Sequence, residues 1–157
     1  MSHSIGVLLL RKIDVQNELL NIADTSIPYA ELDSGIIAIE KVYQPFLQSI
    51  NIKYLDIYTD YFGGMGEQYC SIFIPELNFG KRYPDIEMTE CVSINDGLRR
   101  LGIIKNSDCD EFDTIGLGNY RRNSDFKFKK DMGPKEDLRM SFFDWIRKIK
   151  STHFKNN

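Results

Sequence analysis

At 157 residues, with 42% hydrophobic, 12% aromatic and 27% charged side chains, the chain has the size and composition of one globular domain. A net charge of −3 beside that hydrophobic share excludes an intrinsically disordered chain, which needs low hydrophobicity and high net charge. No apolar run approaches the ~20 residues that a membrane-spanning helix requires.

Ile5 to Arg11 predicts a first, buried strand; its apolar part IGVLLL has neither the preceding basic cluster nor the following small-residue site of a signal peptide. Asp14 is placed to cap a helix over Val15 to Ala23, where Val15, Leu19 and Ile22 share a face. Thr25 to Asp33, with Pro28, is expected as loop. Ile36 to Phe46 is ambiguous, since its β-branched run suits a strand, but Ile36, Ile39 and Tyr43 favour a helix ending near Pro45.

The clearest signal is a hairpin. From Lys53 to Phe62, Leu55, Ile57, Thr59 and Tyr61 alternate with Tyr54, Asp56, Tyr58 and Asp60, which predicts an apolar core face and a Tyr/Asp outer face. Gly63, Gly64 and Gly66 break that strand, and Tyr69 to Ile74 resumes it before Pro75. Ser93 and Asp96 form a capping box for a short helix burying Leu98 and Leu101, with Gly102 as its stop. Asn106 to Asp113 is expected as an acidic loop, and Thr114 to Gly118 as a tight, partly buried turn. Pro134 opens a C-terminal helix whose stripe is Leu138, Phe142, Trp145 and Ile149. The fold class is therefore α+β: an antiparallel sheet containing a central hairpin, packed against helices including a long C-terminal one, in a single domain over 1–157.

Charge is unevenly distributed. Residues 1–118 carry 9 basic and 18 acidic side chains, whereas 119–157 carry 11 basic and 5 acidic. Either the two portions attract each other within the fold, or the acidic portion meets a basic partner. Cys70, Cys91 and Cys109 are too widely spaced for a CxxC metal site, and their odd number does not suit a disulfide framework, so reduced thiols and a cytoplasmic location are expected.

The catalytic signals are sparse. The two histidines, His3 and His153, lie near the termini, which argues against Ser-His-Asp, Cys-His and His-rich zinc chemistry. Asp108 with Asp110, or Glu111 with Asp113, could hold a hard cation, but the calcium-loop order is missing. Gly63-Gly64-Met65-Gly66-Glu67-Gln68 lacks the lysine and following helix of a phosphate loop, so hairpin geometry explains its glycines better. Phe126 and Phe128 among Arg121, Arg122, Lys127, Lys129 and Lys130 suit nucleic-acid stacking or an edge strand guarded by lysines; the overall acidity favours the latter. Neither an enzyme nor a cofactor is expected.

Three stretches carry a family likeness: Asp60-Tyr61-Phe62-Gly63-Gly64-Met65-Gly66-Glu67-Gln68, Ile94-Asn95-Asp96-Gly97-Leu98-Arg99-Arg100-Leu101-Gly102-Ile103, and Asp110 through Arg121 (DEFDTIGLGNYR). Together they resemble bacterial immunity proteins that accompany polymorphic or contact-dependent growth-inhibition toxins. The resemblance covers roughly residues 54–122 and contains no catalytic signature. It implies a cytoplasmic antidote that binds a cognate protein toxin, typically the C-terminal toxin domain, and blocks its active site or substrate surface. Many such toxins are nucleases, which are basic because they grip phosphates.

That implication agrees with the acidic balance of residues 1–118. Candidate toxin-binding residues, chosen from exposure and charge, are Asp108, Asp110, Glu111, Asp113, Tyr54, Asp56, Tyr58, Asp60 and Glu67. A nucleic-acid partner and a membrane partner are not expected. The alternatives are a small carboxylate- or metal-dependent enzyme and a cytosolic scaffold protein.

Overall fold

The computed structural model of the chain describes residues 2–14, 27–62, 65–82 and 85–128, which form a six-stranded sheet with helices and turns on both faces. In chain order these are β1 (Ser2–Arg11), β2 (Tyr29–Glu31), β3 (Ile36–Glu40), α1 (Gln44–Ser49), β4 (Tyr54–Phe62), β5 (Met65–Phe73), β6 (Thr89–Glu90), α2 (Ile94–Leu101) and α3 (Glu111–Thr114). The strands run in the spatial order β2-β3-β1-β4-β5-β6, and every neighbouring pair is antiparallel.

Antiparallel sheets often leave one face wet, which gives strands alternating apolar and polar residues. Here much of the sheet is covered twice, so β1 needs an unbroken apolar run. Ile5, Val7 and Leu9 point to one core with Leu55, Ile57, Cys70 and Ile72, beneath Ile94, Leu98 and Leu101 of α2 and the following Ile115, Leu117 and Phe126. Leu8 and Leu10 point the opposite way, joining Ile37, Ile39, Tyr54 and Phe73 beneath Phe46 and Leu47 of α1. All four of Val7 to Leu10 are buried, each contributing roughly 1.5–3 kcal/mol.

β1 is longer than its neighbour β3, which pairs only with Val7 to Arg11. Residues 121–123 cover the exposed remainder of that edge. Ser4 donates its N–H to the Arg121 carbonyl at 2.7 Å, and a parallel bridge links Ser4 with Arg122. The Asn123 side chain accepts from the Gly6 N–H at 2.7 Å and donates to the Gly6 carbonyl at 3.2 Å, doing with an amide what a strand would do with a peptide. Asp125 in turn accepts from the N–H groups of both Arg121 and Arg122, which holds its carboxyl below the usual range.

Several expectations are met residue by residue. Ser93 Oγ accepts from the Asp96 N–H at 3.1 Å, and α2 ends on Gly102 in the left-handed region at φ 98°. The reciprocal arm of the box is shifted by one residue, Asp96 accepting from Val92 rather than from Ser93. β4 and β5 pair over their full length, from Tyr54 opposite Phe73 to Phe62 opposite Met65. The predicted turn at Thr114 to Gly118 is buried at Thr114, Ile115 and Leu117 and bends at Gly116, φ 71°.

Others are corrected. Ile36–Glu40 is strand, not helix, because all but Glu40 are buried between the two cores, and a strand covered on both sides shows no alternation. The helix there starts only at Gln44, with Pro45 in its first turn rather than at its end. Tyr29–Glu31, expected as loop, pairs with Ile37 to Ile39. The second hairpin strand resumes at Met65, four residues before the expected Tyr69. Tyr61, expected on the core face, is only half-buried. The helix expected over Val15 to Ala23, Gly63 and Gly64, and the C-terminal helix with its stripe of Leu138, Phe142, Trp145 and Ile149 lie outside the described residues.

Two substitutions check this packing. A Cβ at Gly97, where α2 crosses the sheet, would stand 2.5 Å from Cys70 Sγ and 2.9 Å from both Leu55 methyls. Gly97→Ala gains about 1 kcal/mol of helix propensity but overpacks a buried contact at about 1–3 kcal/mol, so the expected net is a loss of stability, read by urea denaturation. Cys70→Ala in the same chain should recover part of it. Asn123→Ala removes both bonds to Gly6 and is expected to lower stability by about 1–2 kcal/mol in the same assay.

Candidate functional site

The nine candidate residues fall into two groups on opposite sides of the sheet. Tyr54, Asp56, Tyr58 and Asp60 alternate along β4 on the side of the second core, with Glu67 directly across from Asp60. Asp108 to Asp113 belong to the layer of α2 and α3, over the first core. The two groups therefore do not make one surface.

Along β4 the outer face changes character. Tyr54 is fully buried, stacked on Phe73 with ring centroids 5.2 Å apart. Its hydroxyl accepts from Gln48 Nε2 at 2.8 Å and points at Met88 sulfur, 3.5 Å away. Burial pushes that phenol up to about 12. Tyr54 is a core residue, and its expected surface role is corrected: α1 covers the start of the strand.

Two residues on, Asp56 is half-buried and its Oδ1 lies 2.5 Å from Lys41 Nζ, held by charge rather than by an aligned hydrogen bond. Ser71, opposite it in β5, is buried with its hydroxyl unpartnered among the described residues. Lys41 also lies over the Tyr58 ring, 5.9 Å from its centroid. Lys41 had no signal in the sequence; only the strand-to-helix turn after β3 brings it across to β4.

Beyond Asp56 the cover ends. Tyr58 is 37% exposed and pairs across the strands with Tyr69, 45% exposed; Asp60 and Glu67, opposed in the next pair along that face, are both exposed. Met65 at the end of the hairpin is 81% exposed. Tyr58 donates to Asp60 Oδ2 at 3.3 Å, and the charge of Asp60, ahead of burial and of Glu67, raises its phenol above the usual value.

The outer edge of β5 pairs with β6 only at Ser71 and Ile72, so Met65 to Tyr69, paired with β4 on one edge, have no strand on the other among the described residues. Beside Tyr58 opens a cleft of about 410 Å³, lined by Ser4, Gly6, Lys41, Val42 and Phe128 among others. Tyr69 and Met65 were missed by the sequence reading, although Tyr69 follows from extending the hairpin alternation into its second strand.

The acidic run is mostly structural. Asp110 caps α3, accepting from the Asp113 N–H at 2.9 Å and from Asn95 Nδ2 at 3.0 Å, and these bonds depress its carboxyl, the backbone one first. Asn95 also accepts from the Phe112 N–H at 2.9 Å, so one amide ties α2 to α3. Glu111 is 5% exposed, and its Oε1 lies 3.7 Å from an Arg99 guanidinium nitrogen. The side-chain partners of this run are thus Asn95 and Arg99, both on α2. Asp108, Asp110 and Asp113 remain exposed, and of the four acids only Glu111 is buried.

Among the described residues no group of three or more His, Cys, Asp or Glu side chains is arranged to hold a metal ion, and no helix is long and apolar enough to cross a membrane. The geometry instead offers a surface: two strands presenting aromatic and apolar side chains beside paired carboxylates.

The capping role of Asp110 has a measurable consequence. Asp110→Ala is expected to cost about 1 kcal/mol of stability, the usual value of a lost N-cap. Because the folded carboxyl lies below its ordinary value of 3.8, its contribution is complete above that pH and disappears as pH falls through the depressed folded value. The stability difference between parent and Asp110→Ala should therefore shrink on acidification below about pH 4, measured by denaturation across pH.

Comparison with protein-family models, with curated proteins and with solved structures finds no match for this chain.

Proposed function

We propose that this protein is an immunity protein: a cytoplasmic binding module that neutralises a cognate toxin domain, a basic nuclease, by covering its active site or substrate surface. One observation carries the reading. Asp60 and Glu67 face each other across β4 and β5, an arrangement that costs the sheet stability because like charges lie side by side. A cationic partner turns that cost into attraction. The raised phenol of Tyr58 reports the negative potential already present there.

The neighbours suit the same role. Tyr58 and Tyr69 give contact area with few rotatable bonds on a paired hairpin, the kind of side chain that dominates binding energies, and Met65 adds an exposed, adaptable apolar surface beside them. Acidic residues beside them steer a basic partner into encounter and set its orientation. The resemblance of residues 60–68 to immunity proteins falls on this same hairpin. Asp108, Asp110 and Asp113, on the other side of the sheet, add to the general acidity and are assigned no contact.

The test is co-expression with the C-terminal domain encoded directly upstream, capture of the complex, and kinetics of association. Asp60→Asn with Glu67→Gln is expected to slow association about tenfold at low salt and to flatten its salt dependence. Melting temperature should hold or rise, since a repulsion has been removed. Unchanged kinetics across salt would remove the hairpin from the interface, and failure of the parent chain to bind or protect would remove the immunity reading altogether.

A further inference from the structure

Cys70 and Cys91 meet across the edge of the sheet. β6 pairs Ser71 with Glu90 and Ile72 with Thr89, and the same register carried one step further sets Cys70 opposite Cys91. The Cys91 N–H donates to the Cys70 carbonyl at 2.9 Å, a single bond just past the end of the β5–β6 ladder. Residues opposed in an antiparallel ladder hold their Cα atoms about 4.5–5.5 Å apart, inside the range of about 4.4–6.8 Å that a disulfide spans. Both side chains face the first core, and the two thiols are close enough to influence each other's ionisation. The Cys91 S–H has its own acceptor in the Thr89 carbonyl, 3.9 Å away.

We propose that Cys70 and Cys91 are an oxidisable dithiol, a modification site at which hydrogen peroxide closes a disulfide that pins β6 to β5. In the resting protein both are free thiols. Burial raises both above the ordinary value, Cys70 the more strongly, while Arg100 and the hydrogen bond from Cys70 favour the Cys91 thiolate. Cys91 is therefore the first to react. It also lies at the end of a two-residue edge strand next to the 92% exposed Val92, where a small molecule has the shortest path inward.

The Cys91 thiolate attacks one peroxide oxygen, the O–O bond breaks, and the departing oxygen leaves as water after taking up a proton. Cys91 is then a sulfenic acid. Cys70 sulfur attacks the Cys91 sulfur, the S–S bond forms, the S–O bond breaks, and the hydroxide leaves as water with the Cys70 proton. Two thiols and one hydrogen peroxide give one disulfide and two waters. Gly97 matters here, because its missing side chain leaves the space that Cys70 Sγ occupies.

The experiment uses the full chain, reduced and freed of reductant, exposed to one equivalent of hydrogen peroxide under native conditions, then blocked with N-ethylmaleimide and mapped by mass spectrometry. The expected product is a peptide pair joining Cys70 to Cys91, two hydrogens lighter than the dithiol and reverted by dithiothreitol. Cys109→Ser should leave it intact, and Cys91→Ser should abolish it. Closing this loop should raise the melting temperature by roughly 5–10 °C. Linkage through Cys109 or between chains, alkylation of both Cys70 and Cys91 after peroxide, or a link that forms only in denaturant would overturn the site. An unchanged or lowered melting temperature of the linked form would overturn the pinning.

Discussion

Leu8 and Leu9 are adjacent, fully buried, and point in opposite directions. The rest of the molecule follows from that arrangement. A strand whose successive side chains enter two different cores must have apolar layers on both sides, and it belongs in the middle of its sheet. β3 and β4 flank it, α1 closes one side, and α2 with the turns after it closes the other. A domain of this size has limited surface to bury, and feeding two cores from one strand is an efficient use of ten residues.

The same arrangement explains which parts of the fold were legible in the sequence. α2 was, because its signals are local: Ser93, Asp96 and Gly102 cap the helix whatever it packs against. The hairpin was, because β4 is covered on one side over most of its length and so alternates. β3 was not. Ile36, Ile37, Ala38 and Ile39 are buried on both sides, and the spacing of Ile36, Ile39 and Tyr43 then imitates a helix. β2 is three residues long, too short for any period, and exists only because β3 offers it an edge.

The candidate site divides in the same way. Tyr58, Asp60 and Glu67 were found from alternation and charge, which report on the hairpin alone. Tyr54 was misplaced because the alternation is right but says nothing about how far along the strand α1 reaches. Asp110 is exposed as expected but serves as a cap. Glu111 was misplaced because an acidic run looks solvated in sequence, whereas a buried carboxylate beside Arg99 needs α2 brought against it. Lys41 had no sequence signal, since its partner Asp56 lies on the second strand over.

The doubly buried strand has a consequence for pairing fidelity. In an ordinary half-buried strand, a slip of one residue turns every apolar side chain to water, and that penalty enforces register. Val7 to Leu10 carry no such penalty, because a slipped β1 would still offer each core a branched aliphatic residue. Discrimination must come from its polar half. His3 Nδ1 lies 2.6 Å from Thr59 Oγ1, and Asn123 fits only a backbone position whose N–H and carbonyl are both free. Gly6 sits where a Cβ would crowd Lys41 Cε at 3.3 Å and Tyr58 Cδ2 at 3.5 Å. The leucines supply adhesion without addressing, and the end of the strand richest in glycine and hydrogen bonds determines which of several equally greasy alignments becomes the native one.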